Sequence, residues 1–304
     1  MARSTVGSVI DRTVRQLNSS IRNELNTLSV SVNTTATQLT LTYDLTPALR
    51  MGSVLAVGLE LMRVTSVDAN TKTVNVIRGY QDSTAESHSA DVEVIVNPRF
   101  SRFDVYDALI DELLSWQPDL FKVVSYEATV TDNDETFELP NTLSQAIGVI
   151  RVTRQWENSD SSSWPHLQYR LSRGDSSVWS GASYSGLVVR ILPQNNVLRN
   201  GKVHALIAYP FIVDDTLTTT QDLVTDIGLS TSMLDVLSMG IKVRLLSDDE
   251  NNRAQRQAAD ESRRDGAVPV NRGLEVAQTL RGNYLRRYAD EVLKLRTRYP
   301  LKAW

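Results

Sequence analysis

The chain has 304 residues, a formal net charge of −4 and no cysteine. A chain of this length buries about three quarters of the surface that its unfolded form exposes, so folding requires neither a disulfide nor a metal. The lack of cysteine excludes disulfides, thiolate catalysis and cysteine-ligated zinc sites. The length predicts about two domains.

The sequence predicts a soluble cytoplasmic product with no membrane partner. The opening Met-Ala-Arg-Ser-Thr shows no apolar h-region, so no signal peptide is expected. The longest apolar stretch, residues 203–213, is too short to cross a bilayer and contains Pro210.

The first third of the chain is expected to be a helix followed by strands. Apolar residues at helical spacing over residues 6–28 predict an N-terminal helix of a helical core within residues 1–30. Residues 31–97 are predicted to be a β-rich module, because short strands alternate with turns of Asp and Asn. Such a meander can close a small barrel. After Pro98, a cap at Ser101 or Asp104 predicts a core helix within residues 98–123.

The remaining chain is expected to return to strands and then to helices. Residues 124–221 are predicted to be a β-rich, sandwich-like region, since short apolar strands are separated by turns. Residues 222–280 are predicted to be core helices, because the apolar period becomes helical. The predicted class is therefore α+β, with a helical core, two inserted β-rich regions and an extended C-terminal helical tail.

Charge separates the last residues from the rest of the chain. Residues 281–304 carry seven basic and two acidic residues, a net charge of +5, whereas residues 1–280 carry 25 basic and 34 acidic residues, a net charge of −9. An acidic body with a basic tail predicts that the tail meets an acidic surface, on a neighbouring copy or on a partner.

Residues 281–304 are predicted to be a basic amphipathic docking tail. Its helix is expected from about Asn283 to Tyr299, because Pro300 disfavours helical geometry at the preceding residue. The expected docking residues are Tyr284, Leu285, Arg286, Arg287, Tyr288, Val292, Leu295, Arg296, Arg298, Tyr299, Leu301 and Trp304. We expect the free tail to order only on its partner. DNA phosphates are an alternative ligand for its bases, but an amphipathic helix more often docks in a protein groove.

No catalytic, cofactor or metal site is expected. The sequence lacks a Walker A loop, a GxGxxG motif and an HExxH motif. In residues 181–186 the second glycine is one place too far for a GxSxG motif. His88, His166 and His204 share no ligand spacing, so no zinc site is predicted.

Two groups of residues have an alternative functional interpretation. Asp104, Asp107 and Asp111 could form a metal-binding face, but a solvated helix side near a helix N-terminus is favoured. Large aromatics in a serine-rich stretch could stack on sugars, although a structural role is favoured because these side chains bury much apolar surface. They are Trp156, Trp164, Tyr169, Trp179 and Tyr184.

Two segments resemble proteins of tailed bacteriophages. Residues 78–88, Arg-Gly-Tyr-Gln-Asp-Ser-Thr-Ala-Glu-Ser-His, are similar to an RGYxGTTAxxH stretch of small β-modules in phage virion proteins, with Asp82 where glycine is usual. Residues 235–246, Asp-Val-Leu-Ser-Met-Gly-Ile-Lys-Val-Arg-Leu-Leu, followed by Glu250 and Arg253, resemble a helix of phage head-to-tail adaptor proteins.

The resemblance implies a structural, non-enzymatic protein of the virion neck. Adaptors of this kind form a ring, commonly of twelve copies, under the portal protein, and their C-terminal tails dock on the portal. The implied partners are the portal protein, neighbouring copies, a downstream stopper or tail protein, and genomic DNA that passes without sequence-specific binding. Assembly is expected in the host cytoplasm. The alternatives are another neck or tail component, such as a stopper, tail terminator or baseplate hub, or a glycan-binding virion module.

Overall fold

A computed structural model describes residues 4–19, 23–130, 136–154, 166–173, 187–192, 201–214, 216–261 and 271–301. Four α-helices occur in these ranges, and they are α1 (Val6–Leu17), α2 (Arg102–Ser115), α3 (Thr231–Glu261) and α4 (Asn271–Arg298). The strands are β1 (Glu24–Thr27), β2 (Gln38–Thr40), β3 (Val54–Val57), β4 (Glu60–Asp68), β5 (Thr73–Ile77), β6 (Glu93–Val96), β7 (Lys122–Val130), β8 (Thr136–Glu138), β9 (Gly148–Arg154), β10 (His166–Leu167), β11 (Tyr169–Arg173), β12 (Leu187–Ile191) and β13 (Gly201–Tyr209).

The protein consists mostly of antiparallel β-sheets, arranged as a six-stranded, a four-stranded and a three-stranded sheet. The predicted helical core with two inserted β-rich regions and an extended C-terminal helical tail is therefore wrong. The reason lies in the packing, since the large apolar clusters are built from strand residues and the loops between them. Helical periodicity identifies the apolar side of a helix, but it does not identify whether another helix or a sheet packs against that side.

The chain divides into two compact units. Unit 1 comprises Met1–Glu112, Leu217–Leu223 and Leu234–Tyr284, and unit 2 comprises Leu113–Thr216, Val224–Met233 and Leu285–Trp304. Each unit is thus assembled from segments that are far apart in the sequence.

The sheet of unit 1 has six strands in the order β1-β6-β3-β4-β5-β2. An antiparallel bridge between Leu28 and Leu41 joins the two edge strands, so the sheet curls into a half-barrel. Side chains that alternate towards the inside, such as Leu39, Leu55 and Met62, are completely buried in one cluster. The period of two in strands explains why these residues share a face.

The first helix is shorter than predicted. The hydroxyl of Thr5 caps α1 by accepting a hydrogen bond from the N–H of Ser8, and the helix ends at Leu17 rather than near residue 28. The following residues form β1, where Leu25 is 55% exposed and Leu28 is buried. Both leucines also fit helical spacing, which is why periodicity extended the helix too far.

Unit 2 contains a four-stranded sheet in the order β10-β9-β13-β7 and a three-stranded sheet in the order β11-β12-β8. Apolar side chains from both sheets, including Phe137 and Val189 from one and Val149 and Ile207 from the other, form one cluster. The two sheets of this unit therefore share a single core.

The C-terminal part of α4 packs within unit 2. Leu295, Tyr299 and Leu301 lie against a small cluster that includes Phe121 and Ile150. The helix begins at Asn271, well before the predicted start at Asn283. It ends at Arg298, as the following Pro300 predicts.

Candidate functional site

Glu60 at the start of β4 is completely buried, and its carboxylate holds both ends of the loop over residues 78–88. Arg78 donates hydrogen bonds to it through Nε at 2.5 Å and Nη2 at 2.6 Å. Nε2 of His88 lies 2.8 Å from the same carboxylate, and the N–H of Glu86 donates to it at 3.1 Å. The first segment with a phage resemblance is therefore anchored to the half-barrel by one buried charge.

These contacts set the pKa of Glu60 below its usual value. Burial alone would raise the pKa, because it penalises the charged carboxylate. The hydrogen bonds from Arg78, from the N–H of Glu86 and from His88, together with the charge of Arg78, outweigh that effect. Glu60 is thus ionised in the folded protein and neutralises the almost buried Arg78.

The turn inside this loop explains the usual glycine of the resembling stretch. Asp82 has a φ of 62°, in the left-handed region that favours glycine and that Asp tolerates better than most residues. Ser83 fixes the turn to β4, since its Oγ accepts a hydrogen bond from the N–H of Leu61 at 2.9 Å. The contacts of Arg78, Ser83 and His88 therefore hold this loop on the half-barrel.

Glu112 in α2 plays a similar part among the helices of unit 1. It is 2% exposed, and its carboxylate accepts hydrogen bonds from Nε of Arg244 at 2.6 Å and from the hydroxyl of Tyr284. Gly240 lies opposite, where a Cβ would come within 2.9 Å of Cγ of Glu112 and closer still to its carboxylate. Gly240 and Arg244 belong to the second segment with a phage resemblance, so that segment also contacts a buried glutamate.

Unit 1 has an open cleft of about 840 Å³ beside this cluster. Its acidic lining residues are Asp104, Asp107, Asp111, Glu112, Asp248 and Asp249, and its basic ones are Arg99, Arg244 and Arg281. Apolar side chains complete the lining and include Val54, Phe100, Val243 and Leu245. The cleft is thus acidic but partly apolar, and we take it as the candidate functional site.

The acidic residues of the cleft repel one another. Burial raises the pKa of Asp107, and the neighbouring charges of Asp111 and Asp104 raise it further. Asp104 is engaged in capping α2, because its carboxylate accepts a hydrogen bond from the N–H of Ser101 at 2.7 Å. Within the described ranges, no group of three or more His, Cys, Asp or Glu side chains is placed to hold a metal ion.

The predicted docking residues of the tail fall into two groups. Six of them are partly buried: Tyr284, Tyr288, Val292, Leu295, Tyr299 and Leu301. Five are exposed: Leu285, Arg286, Arg287, Arg296 and Arg298. Trp304 lies outside the described residues. That these residues dock on a partner stays a prediction, and the exposed five form the surface that this conformation offers.

The partly buried group is engaged with the chain itself. The ring of Tyr288 lies 6.5 Å from that of Trp116. Glu291, which is 7% exposed, accepts hydrogen bonds from Oγ of Ser232 at 3.0 Å and from Nζ of Lys294 at 2.7 Å. The tail is therefore integrated into its own fold on one side of α4.

The aromatic residues considered for sugar binding are only partly described. Tyr169 packs against the core of unit 2, and its hydroxyl donates a hydrogen bond to the carbonyl of Val149 at 2.6 Å. Burial raises its pKa. Trp156, Trp164, Trp179 and Tyr184 lie outside the described residues, as do residues 181–186.

Sequence reasoning missed three glutamates that are buried within the described ranges, Glu60, Glu112 and Glu291. The available signal was an acidic residue inside an apolar run, such as Leu59-Glu60-Leu61-Met62. A carboxylate in such a place requires a buried partner, but the partner lies at a distant position in the sequence.

Comparison with protein-family models finds no family that matches the chain, and comparison with curated proteins finds no similar sequence. No α-helix in the described part of the chain is long and apolar enough to span a membrane. The geometry of the chain is therefore the basis for inferring its function.

We expect Gly240→Ala to destabilise the protein. The added Cβ meets the carboxylate of Glu112, which Arg244 and Tyr284 hold in place, so the free energy of unfolding should fall by about 2 kcal/mol. Gly282→Ala is the control, because Gly282 is a helical glycine with nothing within 4 Å of its Cβ position. It should raise the free energy by about 0.5–1 kcal/mol, as alanine does in an exposed helix. Chemical denaturation measures both, and equal effects would contradict the packing role of Gly240.

We expect Glu60→Gln to lower the free energy of unfolding at pH 7 by about 3–5 kcal/mol, because it leaves the guanidinium of Arg78 buried without a counter-charge. The difference in the free energy of unfolding between the wild type and Glu60→Gln should be fully present above the unfolded pKa of a glutamate, about 4.3. It should disappear as pH falls through the lower pKa of Glu60 in the folded protein. The exposed Glu127, which pairs with Lys202, is the control, and Glu127→Gln should change little. Urea unfolding at several pH values tests this, and a Glu60→Gln variant as stable as Glu127→Gln would refute it.

We expect Asp107→Asn to stabilise the protein at neutral pH. The raised pKa of Asp107 means that its charge is unfavourable in the folded state, so removal of the charge helps above the unfolded pKa. The increase in the free energy of unfolding should vanish near pH 3, about one unit below the unfolded pKa, because Asp107 is then protonated in both the folded and the unfolded state. Asp44→Asn should act in the opposite direction, because Lys72 lowers the pKa of Asp44. Thermal unfolding against pH measures both, and a destabilised Asp107→Asn variant would rule out the proposed repulsion.

Proposed function

We propose that this chain is a structural, non-enzymatic protein of a tailed-bacteriophage virion, a head-to-tail adaptor that forms a ring under the portal. In this role it joins the capsid to the tail and continues the DNA channel. Its partners would be the portal protein, neighbouring copies, and a stopper or tail protein below.

One observation carries the proposal. Each of the two segments that resemble phage proteins contacts a buried carboxylate, Glu60 in one case and Glu112 in the other. Arg78 and His88 are each 7% exposed and both engage Glu60, so neither faces a substrate. Residues that are paired with a buried carboxylate stabilise the fold, and a protein that acts by assembly requires a stable fold.

The distribution of charge also supports an assembly role. Residues 1–280 have a net charge of −9, and an acidic channel wall would repel DNA phosphates and let the genome pass without adhering. The exposed arginines of α4 provide a basic surface for a protein partner.

The test uses the purified full chain, alone and mixed with the portal protein of the same virus. We expect ring-shaped particles by electron microscopy and a complex with the portal by mass photometry. A monomer at every concentration that also leaves the portal unbound would contradict the proposal. A ring that binds tail components but ignores the portal would move the protein to a stopper or terminator position.

A further inference from the structure

One side of α4 within unit 2 is not covered by the described part of the chain. Leu285 is 52% exposed and Leu293 is 67% exposed, and Arg286 is also exposed. At about 100° per residue, Ala289 and Leu293 lie about 40° and 80° around the helix from Leu285, and Arg286 lies at the edge of this sector, at about 100°; the four residues form one continuous exposed surface. We call these four residues the outer face. It is a ridge about 12 Å long, at 1.5 Å per residue, with an apolar row and a basic edge.

The surroundings of the outer face are basic. Residues 285–298 contain five basic and two acidic residues, a net charge of +3. Arg286 makes no hydrogen bond or ion pair with any residue in the described ranges, whereas Arg296 pairs with Asp119. Arg286 is therefore available to a partner.

The cleft of unit 1 has the complementary character. Six acidic and three basic residues line it, a net charge of −3. The carboxylates of Asp107, Asp111 and Asp248 are bonded to no other described side chain or backbone group. Val243 and Leu245 are only partly buried and supply an apolar lining. With a volume of about 840 Å³, the cleft has room for the side chains of one side of a helix.

We propose that the outer face of α4 from one copy docks in the unit 1 cleft of a second copy of this chain. The ridge and the cleft both present apolar side chains and carry opposite charges, so a second copy complements both surfaces at once. The contact joins two different surfaces, and such heterologous contacts form rings when the rotation between subunits closes. The raised pKa of Asp107 agrees with this, because an arginine from a second copy would relieve the repulsion among the carboxylates. The inference deepens the proposed ring and rests on it.

The test is a charge reversal at both surfaces of the full chain. The helix variant is Arg286→Glu, and the cleft variant is Asp107→Lys with Asp111→Lys, all at exposed positions. Each variant should weaken self-association at least tenfold, measured as the Kd by sedimentation velocity, since each places like charges together. A chain that carries all three substitutions should recover most of the wild-type Kd. An equimolar mixture of the helix variant and the cleft variant should recover it as well.

Two controls exclude trivial explanations. Arg287→Glu has the same charge change on the same helix but lies about 150° away from the outer face, at 100° per residue, and should leave the Kd unchanged. Urea unfolding of the Arg286→Glu and Arg287→Glu variants should match the wild type, because these side chains are exposed, and the cleft variant should be at least as stable as the wild type, because it removes the repulsion at Asp107. Wild-type association should also weaken with salt, as screened charge pairs do.

Several outcomes would overturn the inference. These are a wild-type Kd in the helix variant or the cleft variant, no recovery in the combined variant, or a chain that never associates. If the helix variant still forms rings but no longer binds the portal, the outer face belongs to the portal and the inference fails while the proposed function stands. If wild-type chains neither associate nor bind the portal, both fail together.

Discussion

The structure depends on a few carboxylates that are held away from water. Glu60, Glu112 and Glu291 are each less than 10% exposed, and each is hydrogen bonded to side chains on other segments. A buried charge costs several kcal/mol unless it is paired in good geometry, so these positions tolerate few arrangements of their neighbours. Arg78 and His88 must meet Glu60, and Arg244 and Tyr284 must meet Glu112. The carboxylates thereby tie together segments that are far apart in the sequence.

Apolar burial is shared between the sheets and the helices, since Ile10 of α1, Leu109 of α2 and Leu237 of α3 are completely buried. The half-barrel of unit 1 and the two facing sheets of unit 2 each enclose a cluster of buried aliphatic side chains. Leu295 and Tyr299 of α4 then cover a third, smaller cluster that contains Phe121. The other side of α4 is exposed, and there Leu285 and Leu293 face solvent. The same helix therefore both completes the core of unit 2 and exposes apolar side chains on its other side.

The proposed function is based on two surfaces of the chain, the acidic cleft of unit 1 and the exposed side of α4. Arg78, His88 and Arg244 are engaged in internal contacts, and within the described ranges the acidic cleft has no group of ligands for a metal ion. Opposite charges on two partly apolar surfaces favour recognition and fix the register between subunits. In the proposed role the chain would act through its neighbours, so association is the property to measure.

The sequence by itself determined the local elements. The turn residues Asp68 and Asn70 located a hairpin between β4 and β5, the Ser101 and Asp104 pair located the start of α2, and Pro300 located the end of α4. These succeeded because turns, caps and proline stops depend on residues a few places apart. Only the tertiary structure decided that the sheets form the cores, that the N-terminal helix stops at Leu17, and which partners surround each buried glutamate. These features depend on residues that are far apart in the sequence, such as Glu60 with Arg78 and His88, or Glu112 with Arg244 and Tyr284. Strand pairing and burial bring them together, and no periodic pattern in the sequence marks their contact.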